Sequence, residues 1–114
     1  MALCSDPAIY YASASLAAGG AALKSALHTI ISSQHQVVSY DNCWDALRDL
    51  DQSPSDSNRV TMIYSDHTHL GIASQGVSIG WNREHVWPKS YGVGYSGPDF
   101  SDLHHLFPAD WNVK

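Results

Sequence analysis

Apolar residues change their spacing partway along this chain, and that change limits the folds open to it. Leu23, Leu27, Ile30 and Ile31 recur at i, i+4, i+7 and i+8, a spacing that gathers side chains on one stripe of a helix. Trp44, Leu47 and Leu50 follow Asp41 at helical intervals, with Asp41 suited to cap the helix they form. Val60 to Tyr64 is instead a short β-branched and aromatic run, which reads as a buried strand. Helices first and strands afterwards predict an α+β domain.

The punctuation between these segments agrees. Asp6-Pro7 has the form of a helix start, with Asp6 as N-cap and Pro7 at the first helical position. Gly19-Gly20 would cost roughly 2 kcal/mol against alanines inside a helix, so a break is expected there. Gln36 to Tyr40 is a short β-branched stretch, Asp51 to Asn58 (DQSPSDSN) a loop, and Asp66 to Gly80 a long loop or irregular hairpin. One domain over residues 1–114 is expected, with a helical scaffold over 1–58 and the chemistry gathered in 59–114.

Of the 114 residues 44% are apolar, enough to bury a core, and no apolar run approaches the roughly 18 residues of a membrane span. A net charge of −5 with six basic residues excludes a polybasic nucleic-acid coat, so an anionic polymer would have to be held by local charge and a metal. Cys4 and Cys43 are compatible with a disulfide in an exported protein or with two free thiols. The N-terminus MALCSDPAIYY has neither a basic segment nor a long apolar one, so a signal peptide is not expected in this chain unless removed beforehand. Export would place the protein outside the cell or in a periplasm.

Five of the seven histidines follow residue 66, and the chemistry-bearing types concentrate in NREHVWPKS and SDLHHLFPAD. In the first, Glu84 is a hard oxygen donor suited to Mg²⁺ or Ca²⁺. His85 beside it has a ring that can take a proton from water near neutral pH. Adjacent residues of a strand face opposite ways, so a shared cleft would require a strand end or a bulge. Phosphodiester cleavage needs such a pair: a cation to neutralise the phosphate oxygens and an imidazole to aim the water. Arg83 is a candidate catalytic residue with His85, and Arg83 and Lys89 are candidates to hold flanking phosphates. Trp81, Trp87 and Trp111 read as packing anchors, and His67 and His69 as solvated loop residues. In the second motif, Leu103, Leu106 and Phe107 are expected in the core, with one of the two histidines packed and hydrogen-bonded.

Together the two motifs resemble the endonuclease I family of non-specific nucleases, which carry a His-Me finger, or ββα-metal, site. YYASASLAAGGAALKSALHTII, SYDNCWDALRDLD and the Val60–Tyr64 strand precede them in the family's order, so the resemblance covers nearly the whole chain. It implies an N-terminal helical layer packed on a ββα-metal motif. It also implies that His85 is the general base, that Glu84 ligates Mg²⁺ (or Ca²⁺ or Mn²⁺), and that Asp102, His104 and His105 orient the site. The implied substrate is DNA, with RNA as the further candidate, held through phosphates by a monomeric enzyme of little sequence preference. The family's second ligand, an Asn early in a following helix, falls at Lys114. Asn112 lies about 200° away around such a helix, so the motif is expected to lack its final helix. Two alternatives stay open from the residues: a zinc-binding module using His67, His69, His85, His104, His105 and Asp102, and an inactive structural or binding piece.

Overall fold

The computed structural model describes residues 6–15, 19–33 and 35–113. It divides into two compact units, residues 1–36 and 37–114.

In the first unit, helix α1 spans Pro7–Tyr10, and the Asp6 carboxylate accepts from the Ala8 N–H at 2.9 Å. Gly19 then adopts φ +78°, a left-handed value that glycine takes without steric cost, and α2 follows over Gly20–Ser33. Of its apolar stripe, Ile30 is buried, Leu23 and Leu27 are half-buried, and Ile31 is exposed.

The second unit opens with residues 37–39 outside any strand. Helix α3 covers Cys43–Leu50, and its N-cap is Asn42 rather than Asp41. The start is held from upstream instead, with the Ser39 hydroxyl accepting from the Asn42 N–H at 3.1 Å. Leu47 is buried and Trp44 half-buried, but Leu50 is 66% exposed, contrary to the expected face. Three-residue steps advance about 300° each, so the third member has rotated off the stripe.

The serine-rich segment after α3 is a hairpin rather than a loop. Strand β1 (Gln52–Ser53) turns at Pro54 and Ser55 into β2 (Asp56–Thr61), and β3 (Thr68–Leu70) completes an antiparallel sheet of order β1-β2-β3. Val60 lies opposite both Gln52 and His69. The strand expected over 60–64 therefore sits about four residues upstream. Val60 and Met62 are buried, whereas Ile63 and Tyr64 are exposed and belong to the turn beyond it.

A second, two-stranded sheet joins β4 (Trp81–His85) to β5 (Leu106–Asp110). Their antiparallel register runs without a bulge from Trp81↔Asp110 to His85↔Leu106. The Ile63 N–H donates to the Pro108 carbonyl at 2.9 Å and ties the two sheets together. The core is Leu47, Val60, Met62 and Trp81, with Trp44 and Leu103 packed against it. Trp81 is fully buried, meets Trp44 edge to face at 5.0 Å, and donates its indole N–H to the Gly71 carbonyl at 3.0 Å. Beside it, a Cβ on Gly80 would lie 1.9 Å from the Ser74 carbonyl oxygen, so only glycine fits. Leu106 is buried as expected, Phe107 is half-buried, and Trp87 and Trp111 are exposed rather than anchoring the core. The fold class is α+β.

Candidate active site

Period-two alternation along β4 decides where the first motif's side chains go. Trp81, Arg83 and His85 share one face, and Asn82 and Glu84 take the other. His85 ends the strand at 6% exposure. Its ring stacks on Phe100 (centroids 4.9 Å, interplanar 18°) and on Tyr40 (5.7 Å, 26°), with the His105 ring 5.6 Å away. The 3-10 turn Asp99–Ser101 presents its main chain to this ring, and His85 Nε2 lies 2.8 Å from the Phe100 carbonyl oxygen. A carbonyl only accepts, so Nε2 carries a proton, and in the neutral ring Nδ1 then holds the lone pair.

Arg83, placed by the sequence as a phosphate contact, is instead enclosed. Its guanidinium lies 3.6 Å from the Tyr40 ring centre and 4.1 Å from that of Trp44, donates to the Tyr40 carbonyl, and keeps 11% of its side chain exposed. A planar delocalised cation suits such a slot, because it stacks on aromatic faces and is weakly hydrated. Burial lowers its pKa, while Tyr40 and Asp41 oppose that. The same burial raises the Tyr40 hydroxyl, with the Arg83 charge pulling the other way.

Glu84 occupies the opposite face, half-buried beside Tyr64. The Tyr64 hydroxyl is raised first by desolvation and then by the nearby Glu84 charge and its hydrogen bond. The register stays regular through Glu84 and His85, so no bulge intervenes between them.

The second motif closes over the His85 face. His105 Nε2 lies 2.7 Å from the Asp99 carbonyl oxygen, so the same 3-10 turn orients both imidazoles. His105 is the packed member of the pair. His104 points outward with 91% of its side chain exposed, and its Nδ1 lies 2.7 Å from Asp102 Oδ1. Lys89 sits 5.2 Å from the Tyr95 ring and 5.4 Å from the Phe100 ring. Cys43 carries a free, buried thiol directed at the Ser39 and Ser101 carbonyls, its pKa raised by burial. Cys4 and Lys114 lie outside the described residues.

The model of the Endonuclease I family matches residues 19–114. The chain belongs to the Endonuclease I family. It is 44% identical over 110 residues to the extracellular ribonuclease of Bacillus amyloliquefaciens, an alignment covering 96% of this chain and 37% of that protein. It is 43% identical over 96 residues to the extracellular ribonuclease of Bacillus subtilis strain 168, covering 83% and 33%. The chain thus spans about a third of the length of the curated relatives it matches. No solved structure matches it.

Against this Endonuclease I background, several site features carried no sequence signal. The aromatic cage of Tyr40 and Phe100 was not anticipated, and the Phe100 carbonyl could not be, since a main-chain acceptor has no residue signature. His69 was read as solvated, yet it is 20% exposed with Nε2 3.0 Å from Asp110 Oδ2; His67 stays outside, 74% exposed, at 3.9 Å. The five late histidines thus fall into three groups: His67 and His69 beside Asp110, His85 and His105 on the Asp99–Ser101 turn, and His104 outward on Asp102. Among the described residues no three His, Cys, Asp or Glu side chains converge as a metal-ligating set, so the zinc-module alternative lacks its ligand cluster. Magnesium makes a smaller demand, since it commonly binds through one or two carboxylates and keeps several waters. The half-buried Glu84 carboxylate fits that demand as a single hard donor.

Proposed function

We propose that this chain carries the water-activating part of a metal-dependent, largely sequence-independent nuclease, with His85 as general base, acting outside the cell as a monomer. Membership of the Endonuclease I family supports phosphodiester hydrolysis, and the names of its relatives support an extracellular setting and RNA as a substrate beside the DNA that the family resemblance implies. No described helix is long and apolar enough to cross a membrane.

One observation carries the assignment of the base: the 2.8 Å contact from His85 Nε2 to the Phe100 carbonyl. In the neutral ring that bond leaves Nδ1, a buried atom in this structure, as the one to take a proton from a water that reaches it with the substrate. The imidazolium produced keeps its Nε2–H bond to the carbonyl, now charge-assisted. The rings of Phe100 and Tyr40, packed against each other at 4.2 Å on one side of the imidazole, offer their π-electrons to the new charge. His105, held by the neighbouring Asp99 carbonyl, lines the same enclosure, and Asp102 fixes the outward His104. We assign these three the supporting role of shaping the site. Glu84 would hold the divalent cation, Mg²⁺ or in its place Ca²⁺ or Mn²⁺, which when bound neutralises charge gathering on the phosphate.

The opposite-face placement of Glu84 and His85 favours a second reading, in which this chain binds nucleic acid without cutting it. Incubating the 114-residue chain with plasmid DNA and with RNA, in Mg²⁺ and in EDTA, separates the two. Mg²⁺-dependent cutting lost in His85→Ala establishes the nuclease. Retention of nucleic acid without cutting, unchanged by His85→Ala, establishes the binding piece.

A further inference from the structure

Just beyond β4 three large aromatic side chains stand in solvent: Trp87 at 59% exposure, Tyr91 at 74% and Tyr95 at 78%. Rings left this far in water contribute little to the fold, and their neighbours give them a direction. The Trp87 indole N–H donates to the Tyr91 carbonyl at 3.0 Å, which pins the edge of the ring while leaving it partly in solvent. Gly92, at φ 115°, ends the 3-10 turn Lys89–Tyr91 in a conformation that side-chain-bearing residues rarely adopt. Trp87 and Tyr91 then wall a cavity of about 370 Å³ whose polar side is Asp99, Asp102 and His105. That volume lies within the ~300–1,000 Å³ typical of small-ligand pockets. Lys89 carries the surface onward, its ammonium near both Tyr95 and Phe100, and Phe100 is the ring stacked on His85.

The charges on this surface sort the parts of a nucleotide. Carboxylates at Asp99 and Asp102 repel phosphate, and Asp99 can accept hydrogen bonds from base N–H groups while Asp102 Oδ1 is held by His104, so the cavity suits a base and not the backbone. The Lys89 cation beside the rings suits the phosphate. Aromatic faces with a flanking cation form the general stacking platform for unpaired strands, tolerant of sequence because every base has a π-face. In a duplex the bases are stacked on one another and unavailable.

We propose that Trp87, Tyr91 and Tyr95 form a base-stacking platform that binds unpaired nucleic-acid strands, so that the substrate preferred at this site is single-stranded. As a statement about substrate this rests on the nuclease reading above; as a statement about binding it does not. The test therefore measures binding under conditions that prevent cutting. A dye-labelled single-stranded RNA, a DNA of the same sequence and the duplex of each are titrated with the full chain in EDTA, followed by fluorescence anisotropy. Single strands are expected to bind about tenfold or more tighter than the duplexes, and Trp87→Ala and Tyr91→Ala each to weaken single-strand binding by about tenfold. Trp87→Phe should retain most of it, and duplex affinity should barely change. Circular dichroism checks that each variant is folded, and with two exposed positions the result does not hang on one. Equal or tighter duplex binding, no detectable single-strand binding, or unchanged affinity in both folded alanine variants would overturn the platform. Tighter RNA than DNA would name RNA as the ligand, and equal affinities the features common to both. Loss of cutting in the nuclease assay leaves these outcomes untouched.

Discussion

His85 and Phe100 are joined twice: ring on ring at 4.9 Å and Nε2 to the main-chain carbonyl at 2.8 Å. The second bond depends on where the Asp99–Ser101 turn is held, not on what side chain residue 100 bears. A substitution at Phe100 can remove the stacking and leave the tautomer in place.

That separation predicts a graded pair of effects on hydrolysis. His85→Ala removes the proton acceptor and should lower the rate by about 10²–10⁴-fold, the usual contribution of a general base. Phe100→Leu keeps the carbonyl and should cost less than His85→Ala. Initial rates of RNA or plasmid hydrolysis, with folding checked by circular dichroism, give the comparison; equal losses in the two variants would refute it.

Glu84→Gln keeps the shape and removes the charge. If Glu84 holds the cation, the Mg²⁺ concentration giving half-maximal rate should rise while the fold is unchanged. A Mg²⁺ titration of the rate reads this directly, and an unaltered midpoint would remove Glu84 from the metal role.

The core makes the largest stability predictions. Trp81→Ala empties a fully buried site and strips the Gly71 carbonyl of its donor, and should cost about 3–5 kcal/mol. Gly80→Ala should be as damaging without removing any contact, because the added methyl meets the Ser74 carbonyl at 1.9 Å, and backbone must shift to admit it. Urea unfolding followed by tryptophan emission or far-UV circular dichroism measures both.

The link between His69 and Asp110 predicts an acid limb. The hydrogen bond from His69, followed by the Asn112 N–H, holds the Asp110 carboxyl below its ordinary value. A depressed folded-state pKa contributes stability that is fully present above the unfolded carboxylate value and is lost as pH falls through the folded one. His69→Gln weakens that bond, so its melting temperature should approach the parent's at low pH and fall below it above the carboxylate range. Thermal melts from about pH 2 to 6 test the sign.

The local segments that obeyed one strong rule were legible from the residues. The Asp6-Pro7 helix start, the break at Gly19, the α2 helix with Ile30 inward and the burial of Leu106 each follow from neighbours in sequence, although Ile31 of the expected stripe is exposed. The Asp51–Asn58 hairpin was not, because turn-forming residues specify a reversal but not whether flanking strands find a partner. Here β2 finds one in β3. Leu50 was misplaced because a short helix offers its core only one or two turns of face.

By itself the sequence determined the α+β class, the family and which residue types could do chemistry, since those depend on residue identity and order. Tertiary structure decided what each residue meets: that His85 is oriented by a main-chain carbonyl, that Arg83 is caged between Tyr40 and Trp44, that Glu84 faces the other way, and that Trp87 stands in water. Such contacts join positions far apart in the chain, Tyr40 with His85 and His69 with Asp110. They exist only after the backbone has closed on itself, so no local pattern encodes them.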